Sequence, residues 1–376
     1  MPLVDKKHVD TIDVKNADFI TVETDERTSK DRMRLVSLVS VIFTILVSVI
    51  ALGVGDYYVN AFDVVKVLLD YLMRSFSFIV PNDGIESVEI NQSVVILLVR
   101  MPRIALALLV GGGLAVAGGT LQAIFNNPLV SPDVIGVSSG ASFGGVLAIV
   151  VGLGSIGVLA GAMVMGIVAV AIVLSFAALR ASSPILTVVL GGVVTASFFQ
   201  ALVSLVTYLA DPYTTLPAIT FWLMGSLANA STNSVFVALI PVAIGFVIIF
   251  AVRWRINILA LGDEDAQSLG VNPKRMRYLL ISVVALIVAS TVAVAGVVGW
   301  IGLVIPHLVR LLVGTDYRRV IPLSFIIGAG FLVFIDTIAR TAVAGEIPLG
   351  VITALIGAPF FAYLLFKNRS QELGHA

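Results

Sequence analysis

RWRINILALGDEDAQSLGVNPKRMRY, residues Arg253 to Tyr278, is the longest hydrophilic interruption in the last two-thirds of an otherwise oily chain. Apolar runs long enough to cross a bilayer flank it on both sides. The island holds three consecutive acids, Asp263, Glu264 and Asp265, between five bases, Arg253, Arg255, Lys274, Arg275 and Arg277. Carboxylates suit the positive end of a helix dipole, so Asp263 is expected to cap a short helix with Glu264 and Asp265 in its first turn. Gly270 supplies a left-handed exit, and Pro273 stops that helix from continuing. A compact helix held between two spans serves either as a capped connector or as a docking knob for a cytoplasmic partner.

Working outward, composition sets the class. Hydrophobic residues make up 59% of the 376 and charged residues 12%, against roughly 25% charged in a soluble domain. The chain therefore belongs in a membrane. Its formal charge is zero, which gives no basis for binding nucleic acid, and it has no cysteine for a disulfide, thiolate metal site or thiol nucleophile. Residues 1–34 carry eight acids and seven bases and read as a polar cytoplasmic tail without a cleavable signal.

At roughly 20 apolar residues per crossing helix, ten spans are predicted over 35–54, 98–125, 134–151, 158–179, 185–209, 235–252, 278–298, 300–313, 320–340 and 349–366. Residues 35–367 thus form one transmembrane domain, and 368–376 a cytoplasmic C-terminal tail. The eighth span is short, and charge argues for keeping it. With ten spans, 18 of the 23 lysines and arginines fall on the cytoplasmic side, as the positive-inside rule requires. The outer side keeps Lys66, Arg74, Arg100, Arg103 and Arg340. In the long outer loop, Phe62, Val65, Leu68, Leu69 and Leu72 recur at helical spacing, predicting an amphipathic surface helix. Asp211–Thr232 and Arg340–Pro348 read as broken rather than spanning, and the first, with two prolines and a tryptophan, is expected to re-enter the membrane or lie at its interface. Glycines crowd the second and third spans, as close helix packing requires.

Chemistry is sparse. There is no GxxxxGK[ST] loop, no HExxH, and the three histidines are far apart. Asp336 and Arg340 lie one turn apart and can pair. A carrier driven by protons or sodium usually buries several carboxylates, and here only Asp336 qualifies, which disfavours a secondary transporter. A receptor or channel without pumping is the other alternative.

Four stretches then resemble the FecCD-type permeases, the membrane subunits of ABC importers for iron–siderophore chelates, haem, cobalamin and related complexes. They are Arg100-Met-Pro-Arg103 leading into LALLVGGGLAVAGGTLQAIFNNPLVSPDVIGVSSGA; LALGDEDAQSLGV; GWIGLVIPHLVRLLVGTDYRRVIP; and Asp336-Thr-Ile-Ala-Arg340 with EIPLGVITALIGAPFFAYLL. The resemblance implies an all-α, polytopic fold of about ten transmembrane helices with type II ABC importer architecture, in the cell membrane with both termini cytoplasmic. It implies a dimer with a second copy, two ATPase subunits that use ATP and Mg, and an extracytoplasmic substrate-binding protein. This chain itself would hold no cofactor or metal and catalyse nothing. Gly262, Asp263, Glu264, Ala266, Leu269 and Gly270 would contact the ATPase. Asn127 and Leu129, with Ser182 and Ser183, would form cytoplasmic gates. Arg100, Arg103 and Arg340 would receive acidic residues of the binding protein. The cargo expected is an iron chelate, with haem, cobalamin or an oxyanion as alternatives.

Overall fold

The computed structural model describes residues 13–55, 57, 59–75, 90–179, 184–343 and 345–373, and it is helical, with no strand among them. Helix α1 is Asp13–Gly53, so the segment read as a tail is helical from Asp13 onward; the side chains of residues 13–30 lie outside the described set. Helix α2 is Ala61–Ser75 and α3 is Ile90–Val94. A π-helical stretch, Val95–Arg100, joins α3 to α4, Met101–Ile124. Pro102 explains the widened turn. It has no amide proton, and its ring would crowd the carbonyl four residues back in a regular α-helix. Pro102 thus sits in the first turn of α4, and the helical backbone is continuous with the π stretch before it.

A 3₁₀ turn, Pro132–Ile135, precedes α5, Val137–Val151, which pairs with α6, Gly154–Leu179. Then come α7, Pro184–Leu209, the short α8, Thr215–Leu223, and α9, Thr232–Leu259. The island helix α10 is Asp263–Ser268, followed by α11, Pro273–Ala295, and α12, Ile301–Val313. Helices α13, Tyr317–Thr341, and α14, Leu349–Leu373, end the chain. Among the described residues, seven helices are long and apolar enough to cross a membrane, and Val137–Val151, Ile301–Val313 and Leu349–Tyr363 are shorter apolar helices. Together they match the ten predicted segments. The 13 residues of α12 rise only about 20 Å, less than the roughly 30 Å hydrocarbon core. The non-helical link before it contains Val298, which is buried. Irregular backbone at membrane depth is tolerated where protein covers it.

Helix α4 is the hub. It is apolar all round, and only four of its 24 residues escape burial, as expected of a helix wrapped by others. Its glycines act as packing surfaces. A Cβ on Gly118 would fall 1.8 Å from the carbonyl oxygen of Gly302 in α12, and one on Gly111 2.2 Å from that of Gly328 in α13. Gly144 and Gly161 bring α5 and α6 together in the same way.

Helix α2 forms where its periodicity predicts, but its inward face is Val64 and Val67. Phe62, Val65 and Leu69 of the predicted stripe are exposed, and the side chain of Leu72 lies outside the described residues. The Asp211–Thr232 segment folds inward. Ile219 is fully buried, and Trp222 packs over Gly145. Backbone bonds stitch this segment to two other chain breaks: Ser226 N–H to Ala295 O at 2.9 Å, Leu349 N–H to Gly225 O at 2.9 Å and Gly350 N–H to Met224 O at 3.0 Å.

Candidate functional site

The two ends of α4, about 36 Å apart by helical rise, carry two polar constellations. At its first turn the three expected arginines come together, yet they do not form an exposed seat. Arg100 is 4% exposed and Arg103 8%, and the Arg340 side chain is equally enclosed. Arg100 donates to the carbonyls of Leu52 and Tyr57, and Arg340 to that of Ala51. The last turn of a helix leaves carbonyls without partners, and these guanidiniums satisfy those at the end of α1.

Arg103 makes the strongest contact. Its Nε lies 3.0 Å from Asp336 Oδ2 and its Nη2 2.9 Å from Oδ1. The same guanidinium donates to both carboxylate oxygens of Glu346. Arg340 Nε stands 4.0 Å from Asp336, so the pair predicted from helical spacing is the lesser of the two. Asp336 is 2% exposed, and a carboxylate so enclosed requires a bidentate partner of this kind. Three guanidiniums against two carboxylates leave a net charge of +1. Ser226 Oγ, 3.5 Å from Glu346, ties the α8 segment to the cluster.

At the other end stands the island. Gly262, not Asp263, takes the cap position, at φ +120°. Asp263 sits in the first turn and receives both terminal nitrogens of Arg277, Nη1 at 2.8 Å and Nη2 at 2.5 Å. Those hydrogen bonds hold the Asp263 carboxyl below the usual carboxylate range; partial burial opposes them and the guanidinium charge adds to them. The helix ends as predicted, with Gly270 at φ +78°. Val271 N–H returns to Ala266 O at 2.9 Å and Gly270 N–H to Gln267 O at 3.0 Å, the two bonds of a Schellman exit. Asn272 then caps α11 by accepting from Arg275 N–H at 3.0 Å, and Pro273 takes the first helical position. Ala266 and Val271 anchor the knob, while Leu261 and Leu269 stand 62% and 57% exposed on it, beside exposed Glu264 and Asp265.

The island's root is clamped. Asn257, near the end of α9, donates to Asp316 Oδ1 at 2.6 Å and accepts from Tyr317 N–H at 2.7 Å. Asp316 also caps α13, taking Arg318 N–H at 2.9 Å. Across from this clamp lies the turn after α4. Asn127 Oδ1 accepts from Leu129 N–H at 2.9 Å, and Leu129 is exposed. A cavity of about 630 Å³ opens between the Asn126–Pro128 turn, Ala260 and Leu261 at the island's root, and Thr315–Arg318. Asn127 and the island therefore share one end of the molecule. Ser182 and Ser183 lie outside the described residues.

Sequence reading missed Glu346, Asn257 and Asp316. Asp316 was findable as a capping residue before an apolar run; the others left no periodic signal.

The family profile described as the FecCD transport family matches residues 42–367. The chain belongs to the FecCD transport family. Among its relatives, the molybdate import system permease protein MolB of Haemophilus influenzae is 37% identical over 86% of this chain and 93% of its own length. A Helicobacter pylori protein described as a probable iron chelatin transport system permease is 40% identical over 77% of this chain and 88% of its own. A solved structure described as an inward-facing, metal-chelate type ABC transporter superposes with a TM-score of 0.78 at 36% identity, covering 89% of this chain and 99% of that one. This FecCD chain is accordingly a multi-pass ABC importer permease, and the profile match runs from within the first apolar helix through the last.

Proposed function

We propose that this permease carries an iron chelate of the siderophore type, as a dimer of two copies bound to two ATPase subunits and a substrate-binding protein. The observation that carries the coupling is the island: a capped helix, locked to α11 through Arg277–Asp263 and to α13 through Asn257–Asp316, with exposed Leu269 at its tip. ATP binding would close the ATPase pair and move the island as a rigid body with α9 and α11. Gly262, Asp263, Glu264, Ala266, Leu269 and Gly270 form or support that contact. Asn127 and Leu129 gate the pathway at the same, cytoplasmic end, where both termini also lie. Ser182 and Ser183 belong to a second gate.

The opposite end receives the binding protein. What supports this is the net positive charge of the Arg100, Arg103, Arg340, Asp336 and Glu346 cluster, which acts there as a buried field rather than as free side chains. Cofactors are foreign to this reading; ATP and Mg belong to the ATPase. Cargo specificity resides mainly in the binding protein, since few polar groups line the spans. A second reading, an oxyanion cargo, is favoured by the Haemophilus relative. Uptake by the complete, reconstituted complex, with ferric siderophores, haem, cobalamin and molybdate offered in parallel, decides between them. ATP-dependent accumulation of a ferric chelate is expected, and accumulation of molybdate alone would replace this reading with the second.

A further inference from the structure

The turn between α4 and α5 carries an acid that neither polar constellation uses. Asp133 stands in the 3₁₀ turn Pro132–Ile135 and is exposed. Its two neighbours fix its depth. Pro132 packs on Gly302 of α12, whose backbone meets Gly118 of α4. Gly118 lies about 9 Å before Ile124, the end of α4. The carbonyl of Val134 faces Gly192 of α7, about 12 Å past the start of that helix at Pro184. Both helix ends belong to the island's side, since Ile124 and Ile185 border one crevice with Arg277. The 24 residues of α4 and the 26 of α7 rise about 36 and about 39 Å, so they overhang a roughly 30 Å hydrocarbon core by only a few Å at each end. Asp133 therefore stands inside that core, too deep for its short side chain to reach the headgroups. Counting carboxylates along the apolar runs passed over it, because it falls in a turn between two of them.

Its partners are hydroxyls. Ser138 Oγ donates to Oδ1 at 2.7 Å, and Ser131 Oγ to Oδ2 at 3.4 Å. They brace the start of α5 but leave the charge in place. Among the described residues no ion pair reaches Asp133, whereas Asp336 is held by Arg103. A carboxylate turned towards lipid tails must be neutralised, and one turned towards water need not be. Asp133 accordingly marks a face that water reaches. Beside it, Ser131, Ser138, Gly299 and Trp300 line a crevice on that face.

We infer that Asp133 is a charge filter on the translocation pathway, repelling anions and passing cargo of zero or positive charge. In a dimer two copies of it act on one conduit, and low-dielectric walls strengthen their field. The cargo class narrows accordingly, to a ferric chelate whose ligands leave no net negative charge, as hydroxamates do, ahead of an oxyanion or a catecholate chelate. That choice of cargo rests on the importer reading above; the field at Asp133 does not.

The first test needs neither cargo nor ATP. Ser131→Cys puts one thiol into this cysteine-free chain, beside Asp133. The assembled complex in phosphatidylcholine nanodiscs is treated with two water-soluble methanethiosulfonates, one cationic and one anionic, and labelling of this chain is followed by mass. The ratio of the two rates is the readout, because a neighbouring carboxylate disfavours the thiolate for both reagents alike. It should favour the cation, and adding Asp133→Asn should lower it about tenfold. Adding Asp63→Asn, on α2, should leave it unchanged. A ratio unmoved by Asp133→Asn would overturn the filter. So would a thiol at position 131 as unreactive as one from Val247→Cys on the exposed apolar surface of α9. The second test is ATP-driven uptake by the complete complex. Asp133→Asn should slow ferrioxamine B, a cationic hydroxamate chelate, about fivefold relative to ferrichrome, a neutral one. Wild-type accumulation of molybdate or ferric enterobactin, both anionic, at rates that Asp133→Asn does not raise would overturn the filter's role in transport even with the thiol ratio shifted. A shifted thiol ratio in a complex that accumulates nothing would uphold the field and fault the importer reading instead.

Discussion

Arg103 serves two carboxylates at once, and so holds α4, α13 and the link before α14 together. Removing one member of a buried pair strands the other's charge, which costs about 3–5 kcal/mol. Arg103→Met should therefore lower the melting temperature of the purified protein sharply, and adding Asp336→Leu should restore most of it. A single variant that melts like wild type would remove the cluster from the account. The Asp336–Arg340 relation was legible because four residues make one helical turn. The dominant partner was not, since it lies 233 positions away and no periodicity relates contacts across a bundle. Burial of the arginines was hidden for the same reason: charge counting placed them at one end but said nothing of what covers them. Asp263 yields a second expectation. Its carboxyl is held below the ordinary range, with the Arg277 hydrogen bonds the largest cause. A lowered folded-state value gives stability that is complete above the ordinary carboxylate pKa and is lost only as pH falls through the lowered one. Attachment of the ATPase should thus be level between about pH 5 and about pH 8, and Asp263→Asn at neutral pH should reproduce the loss seen in acid. A wild-type loss centred near neutrality and abolished by Asp263→Asn would contradict this.

Among the elements, the island is where sequence and structure agree on outline and differ in detail. Its acids, its glycine exit and its proline were readable as local signals. Asp263 was misassigned as the cap because an acid in that position suits both a cap and a first-turn ion pair, and only the fold brings Arg277 within reach. Leu269 is exposed at the tip, so Leu269→Asp should insert and melt as wild type while losing ATPase association and ATP-driven uptake. Gly270 sits at φ +78°, which the proline ring cannot adopt, so Gly270→Pro should lose association together with local stability. Normal co-purification of the ATPase with both variants would dismiss the island as its seat. The spans were legible because ten apolar runs are separated by charge, and the glycine crowding was legible as packing. The π turn before Pro102 and the doubled apolar face of α2 were not. Each depends on which neighbours the helix meets rather than on its own period.

At the scale of the whole molecule, the described residues form ten apolar helices, and the sequence contains no phosphate-binding loop of the ATPase kind. Purified alone it should hydrolyse no ATP above background. Detergent-corrected mass of the complete complex should show two copies of this chain, and a single copy would end the dimeric reading. The absence of cysteine permits a direct examination of the central claim, that a separate ATPase docks on the island at the end shared with Asn127. Leu269→Cys and, as a control at the opposite end, Phe62→Cys each give a chain with one thiol. The measurement is cross-linking of each variant to an ATPase subunit carrying a thiol-reactive probe in the assembled complex, with and without ATP. The account predicts efficient cross-linking at Leu269 that changes in extent with ATP, and none at Phe62. Equal cross-linking at both positions, or none at Leu269 in a complex that still drives uptake, would contradict it.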